Sequence, residues 1–198
     1  MNESNLHNYQ TFAVRHIIDH PEAGLLLDMG LGKTVSTLTA IKKLMDEYLE
    51  VNKVLIIAPK RVAESTWCDE IDKWEHLKGL KVSNILVTQK QRKTALKVSA
   101  DIYTINRENV VWLVSHLEGY WPFDMVVIDE LSSFKSPKAA RFRALRLVRP
   151  KITRIVGLTG TPAPNGLIDL WSQIYLLDMG QRLERTITAY RTKYFRPG

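Results

Sequence analysis

The sequence has one cysteine, Cys68, which excludes an internal disulfide or a cysteine-cluster metal site and points to a reducing setting, the cytoplasm. No apolar run approaches the ~20 residues that span a bilayer, and Met1 to Gln10 lacks the basic-then-apolar pattern of an export signal. A soluble protein with no membrane partner is expected. Acidic residues are missing from Lys135 to Arg154, which holds eight basic ones. Net charge is +7 and the rest of the chain carries 20 basic against 21 acidic residues, so the positive bias sits in that segment. A local excess suits a polyanion such as nucleic acid, bound in a salt-sensitive way; a solvated basic helix face explains the same charges. Repeats, low-complexity tracts and interior linkers are also absent, and 198 residues at 45% hydrophobic and 25% charged fit one globular domain.

What is present alternates in period. Leu6, Tyr9, Ala13 and Ile17 recur at helical spacing and predict an amphipathic helix ending before Pro21. A strand is expected over Gly24–Leu27, then a helix with Val35, Leu38, Ile41 and Met45 on one face. Further strands are expected at Lys53–Pro59, Asn84–Thr88, Ala100–Ile105, Asp124–Asp129 and Thr153–Gly160, with a helix carrying Trp67, Ile71 and Trp74 and another over Gly166–Asp178. Alternating strands and helices imply right-handed crossovers and an α/β fold with a mostly parallel sheet covered on both faces. Trp67, Trp74 and Trp171 sit among apolar neighbours at helical spacing and read as core rather than as base-stacking platforms.

Three short segments carry chemistry. Met29, Gly30, Leu31, Gly32, Lys33 and Thr34 lie between an expected strand and helix and end in Gly-Lys-Thr. In a phosphate loop, backbone N–H groups surround the phosphates, the lysine reaches their oxygens and the threonine helps hold Mg²⁺. The strict pattern asks for glycine where Leu27 stands, and a glycine-rich turn capped by a helix is the plainer alternative. Asp129 and Glu130 close an apolar strand, where one carboxylate can hold Mg²⁺ and the other polarise an attacking water. Two acids at a solvated strand end are otherwise common, but open parallel sheets bind ligands beyond the carboxyl ends of their strands, where both segments would meet. Thr159, Gly160 and Thr161 follow another apolar strand and place hydroxyls where a terminal phosphate could be sensed; a plain turn explains them equally well.

Taken in order, "LHNYQ", "DMGLGKT", "IIAPKRVAESTWCDEIDKW", "ADIYTINREN", "VVIDELSSFKSPKAARFRAL" and "GLTGTPAPNGLIDLWSQIYLLDMG" resemble the first RecA-like lobe of Swi/Snf-type DNA translocases in helicase superfamily two, nearest in flavour to bacteriophage and prophage members. The resemblance runs from Leu6 to Gly198. It implies a RecA-like three-layer α/β/α lobe, ATP and Mg²⁺ as cofactors, double-stranded DNA as partner, and the cytoplasm of a bacterium or phage-infected host. It further implies that Gln10 reads the adenine edge beside Tyr9, that Lys33 and Thr34 bind phosphate and Mg²⁺, and that Asp129 and Glu130 serve as metal partner and water-activating base. Pro59, Lys60 and Arg61 resemble a motif touching the DNA backbone, with Thr104 and Asn106 in a second; Lys60 and Arg61 also suit a solvated surface. Thr159, Gly160 and Thr161 resemble the element coupling ATP state to DNA contact, and Lys135 resembles the lysine following the acidic motif.

Two departures bear on this. Ser132 stands where many family members carry histidine; serine still hydrogen-bonds there, and the change bears on coupling to DNA. The segment to Gly198 resembles the end of the first lobe, so the second lobe, with arginines worth roughly 10³ to 10⁵ in rate, is expected as a partner from a longer protein. The expectation is one lobe over 1–198 that binds nucleotide weakly and turns it over poorly alone. The competing expectation is a stand-alone module that binds DNA or protein and uses ATP as a conformational ligand.

Overall fold

Six apolar runs form strands: β1 Glu22–Leu26, β2 Val54–Ala58, β3 Val82–Ile85, β4 Ile102–Asn106, β5 Met125–Asp129 and β6 Arg154–Thr159. In this computed structural model, which describes residues 1–196, they make one sheet in the order β1-β6-β5-β2-β4-β3, every pair parallel. Pro197 and Gly198, which end the expected lobe, lie outside the described residues. The helices are α1 Asn8–Asp19, α2 Lys33–Asp46, α3 Trp67–Lys73, α4 Gln89–Lys97, α5 Val110–His116, α6 Ala140–Val148, α7 Leu170–Asp178 and α8 Ile187–Tyr194. The expected RecA-like α/β architecture is present.

β2, β4 and β6 are buried at every residue, the pattern of parallel strands covered on both faces. Side chains alternate between two core layers. Val54, Ile56 and Ala58 of β2 join Ile17, Leu38, Ile41 and Trp67 from α1, α2 and α3. Leu55 and Ile57 join Val110, Leu145 and Trp171 from α5, α6 and α7 on the opposite face. Trp67, Trp74 and Trp171 are all buried, as core residues.

Three expectations shift. β3 stops at Ile85 instead of running to Thr88, because Val87 takes a left-handed φ of 67° and the Thr88 hydroxyl caps α4 by accepting from the Gln91 N–H. Trp74 falls just beyond α3 yet stays buried. The basic segment is the larger correction, for it does not form one outward face. Arg149, 3% exposed, donates to the carbonyls of Leu176, Leu177 and Ile152 and to Glu22. Arg154 donates to the carbonyls of Ile17 and Ile18 and to Glu50, while Arg141 donates to the Ser133 carbonyl. Half-buried or buried guanidinium groups satisfy chain carbonyls here, so much of the charge excess is structural.

Candidate functional site

Every segment expected to carry chemistry leaves the sheet at the carboxyl ends of its strands. Across that edge, in spatial order, come the loop Leu27–Gly32 after β1, Thr159–Thr161 after β6, Asp129–Glu130 after β5, Pro59–Arg61 after β2 and Asn106 at the end of β4. The register fixes the spacing, with Leu26 beside Thr159, Asp129 beside Leu158 and Ala58 beside Asn106. The Thr-Gly-Thr segment therefore lies between the glycine loop and the carboxylates, an order that no local sequence pattern contains.

The glycine loop closes on the N-terminus of α2, with Gly30 and Gly32 at φ of 81° and 74°. Lys33 donates from Nζ to the carbonyls of Leu27 and Asp28 at 2.6 and 3.0 Å, so its ammonium lies over its own loop. Met29 is fully exposed at the tip, and Thr34 is half-buried in the first turn of α2. Gln10 packs against this loop from α1. Its Oε1 accepts the His7 N–H at 2.9 Å and its Nε2 donates to the Leu31 carbonyl at 3.4 Å. Tyr9 is exposed and stacks on His7 at 5.5 Å. Gly160 touches the same loop, since a Cβ there would stand 3.4 Å from the Leu27 carbonyl oxygen.

Burial pushes the Asp129 carboxyl up to about 6, and the Glu130 charge adds to the rise; Lys33 and the nearby Trp67 indole oppose it. The Trp67 indole N–H, fully buried, completes no hydrogen bond. Glu130 itself adopts a left-handed φ of 61°, a strained backbone for a residue with a side chain. Behind it Leu131 fills the space over Gly157, where a Cβ would meet Leu131 Cδ2 at 2.5 Å.

The donor set fits a magnesium nucleotide: an ammonium, a hydroxyl, the free N–H groups of a 14-residue helix and two carboxylates. Among the described residues no group of three or more His, Cys, Asp or Glu is gathered for a metal. Thr34 and Asp129 are the side chains that could hold a cation here together with the phosphates, as Mg²⁺ is characteristically held.

On the other side of the carboxylates, Pro59, Lys60 and Arg61 project from the end of β2, with Lys60 and Arg61 exposed. Asn106 donates to Glu108 at 2.9 Å and accepts from Asn109. Thr104 is brought elsewhere. It is fully buried in mid-strand, its Oγ1 2.8 Å from the Ala63 carbonyl and 2.8 Å from Asn84 Oδ1, so it braces the turn after Arg61 and does not reach the surface. Lys135 is half-buried, 3.9 Å from Asp169, and Ser132 is half-buried beside it. Asp169, Ser172 and Gln173 were not expected at the site. Their signal in the sequence is a polar pair, Ser-Gln, inside an otherwise apolar helical run.

Comparisons with known proteins identify the family and the fold. The SNF2-related domain matches residues 9–194. Protein p41 of Acyrthosiphon pisum secondary endosymbiont phage 1 is 41% identical over 194 residues, covering 95% of this chain and 42% of that protein. An "Uncharacterized ATP-dependent helicase" of Mycoplasma pneumoniae is 34% identical over 177 residues, covering 85% of this chain and 16% of its own. The Sulfolobus solfataricus SWI2/SNF2 ATPase core in complex with dsDNA superposes with a TM-score of 0.81 at 25% identity, over 96% of this chain and 39% of that one. The chain thus spans less than half the length of these relatives. With a matching domain across nearly all of it, the chain belongs to the SNF2-related domain family.

Proposed function

We propose that this chain is the ATP-binding lobe of a motor that moves along double-stranded DNA, working with a second RecA-like lobe of the same longer protein. The observation that carries the reading is the order of loops on one sheet edge, with Lys33, Thr159–Thr161 and Asp129–Glu130 side by side and the exposed Lys60 and Arg61 next in line. In this reading the α2 N–H groups and Lys33 hold the β and γ phosphates, and Gln10 exchanges its Leu31 partner for the adenine edge. Thr34 and Asp129 hold Mg²⁺, which when bound neutralises charge on the transferred phosphoryl group. Glu130 orients and deprotonates the attacking water. Thr159–Thr161 feels whether the terminal phosphate is present, and Pro59–Arg61 with Asn106 grips backbone phosphates, so sequence preference is weak. Translocation follows from two lobes closing and opening with ATP state. No helix among the described residues is long and apolar enough to cross a membrane.

The test is ATP hydrolysis by the longer protein and by this lobe, each with and without duplex DNA. DNA-stimulated turnover in the longer protein and little in the lobe supports the motor. A lobe that binds ATP and DNA but gains no turnover when the rest of the protein is present supports the module instead.

A further inference from the structure

The segments after Asp129 and after Thr159 both lean on the first turn of α7. Ser172, fully buried, donates its hydroxyl to the Lys135 carbonyl, at the end of the segment that begins with Glu130. Gln173, 1% exposed, donates from Nε2 to the Pro162 carbonyl at 2.5 Å and to the Asp169 carbonyl at 2.9 Å. Asp169 accepts the Asn165 N–H at 3.1 Å and faces the Lys135 ammonium. One helical turn thus holds the segment after Asp129 and the loop after Thr159 by separate polar ties.

Packing alone does not call for these residues. Around them α7 buries Trp171, Leu176 and Leu177, and an apolar side chain at 173 would fill the same space without desolvating an amide. Gln173 Oε1 is buried and accepts no hydrogen bond from the protein, an unfavourable condition for an amide oxygen. Turning the amide over would set that oxygen against two carbonyls, so the donor orientation is fixed by its surroundings. What the amide supplies in this position is its two donated bonds, one of them to the loop after Thr159.

We propose that Gln173 is a positioning residue that holds the Thr159–Asn165 loop at Pro162, with Ser172 holding Glu130–Lys135 from the same turn, so that α7 passes a shift of one loop to the other. Gln173 touches no substrate and acts through Pro162 on Thr161. The inference rests on the nucleotide and DNA binding proposed above.

The experiment measures duplex DNA affinity with and without a non-hydrolysable Mg–ATP analogue, together with the melting temperature, for wild type, Gln173→Met and Ser172→Ala. Gln173→Met keeps side-chain length and removes both the donor and the orphan oxygen. In wild type the analogue changes DNA affinity by about fivefold or more, the usual range for coupled sites. In Gln173→Met that ratio falls towards one, while analogue affinity, analogue-free DNA affinity and melting temperature stay near wild type. Ser172→Ala, which loses only a hydroxyl, lowers the ratio in the same way. A variant ratio equal to wild type, with or without a lower melting temperature, overturns the positioning role. A ratio of one already in wild type overturns it too but leaves nucleotide and DNA binding standing, whereas a wild type that binds neither ligand overturns the functional reading beneath it.

Discussion

Gln10 of α1 occupies the space beside Gly32, so closely that a Cβ on Gly32 would stand 2.1 Å from Gln10 Nε2. Gly32 is also left-handed, at φ 74°, so an alanine there meets both backbone strain and a side chain bonded to the loop. Gly30 is left-handed too, but a Cβ there would meet nothing within 4 Å. Gly30→Ala should therefore cost only the left-handed penalty, about 1–2 kcal/mol, and Gly32→Ala that penalty plus the smaller cost of swinging the Gln10 amide off the Leu31 carbonyl, with weaker nucleotide binding. Denaturant unfolding of both variants checks this, and equal losses would contradict the packing of Gln10 on the loop.

Asp129 supplies a pH prediction. Its carboxyl is raised to about 6, chiefly by burial, from an ordinary 3.8. The group therefore favours the fold fully below pH ~3.8, and that contribution is lost as pH rises through ~6, where a buried charge must be carried. Asp129→Asn should melt higher than wild type at pH 7.5 without metal, by a margin worth at most about 3 kcal/mol, and the margin should vanish near pH 4. A margin independent of pH would mean the carboxyl is not held in that environment.

Arg149 tests how the basic segment is used. Arg149→Met leaves the partly exposed Glu22 and three carbonyls without their donor, a loss of about 1–3 kcal/mol for each group left buried and unpaired. Arg149→Lys should not restore it, because one ammonium cannot span the positions that the planar fork reaches. Chemical denaturation of the two variants decides; full recovery with lysine would contradict a role that depends on the fork.

Lys60 and Arg61 should behave in the opposite way. Both are exposed beside the carboxylates, so Lys60→Ala and Arg61→Ala should leave stability unchanged while each lowers the salt dependence of duplex DNA binding by about one unit of slope. Binding titrations across a range of salt concentrations provide the check. DNA affinity that holds from low to high salt would contradict a backbone grip.

Much of this was legible in local pattern. The succession of strand, Gly-Lys-Thr loop and helix was readable from the residues, and so was the apolar strand ending at Asp129. Strand order was not legible, because the placement of β6 between β1 and β5 comes from register, with Leu26 beside Thr159 and Asp129 beside Leu158. Charge counting misread Arg149 and Arg154, since a count cannot tell a guanidinium in water from one that satisfies buried carbonyls. Thr104 looked like a contact residue by its motif, yet its β4 position pairs it with Ile56 inside the sheet. Gln173 was hidden because an isolated Ser-Gln pair in an apolar helix breaks its pattern without a periodic signal of its own; only its partners, Pro162 and Asp169, reveal its use.

The central claim is that Lys33 and its loop hold the phosphates of a magnesium nucleotide. Its most direct test is the melting temperature of wild type and Lys33→Ala with increasing Mg–ATP. The account predicts a rise in wild type that grows with ligand concentration, as mass action requires, and none in Lys33→Ala, whose melting temperature without ligand should stay close to wild type. An equal rise in both proteins would place the nucleotide elsewhere and contradict the account.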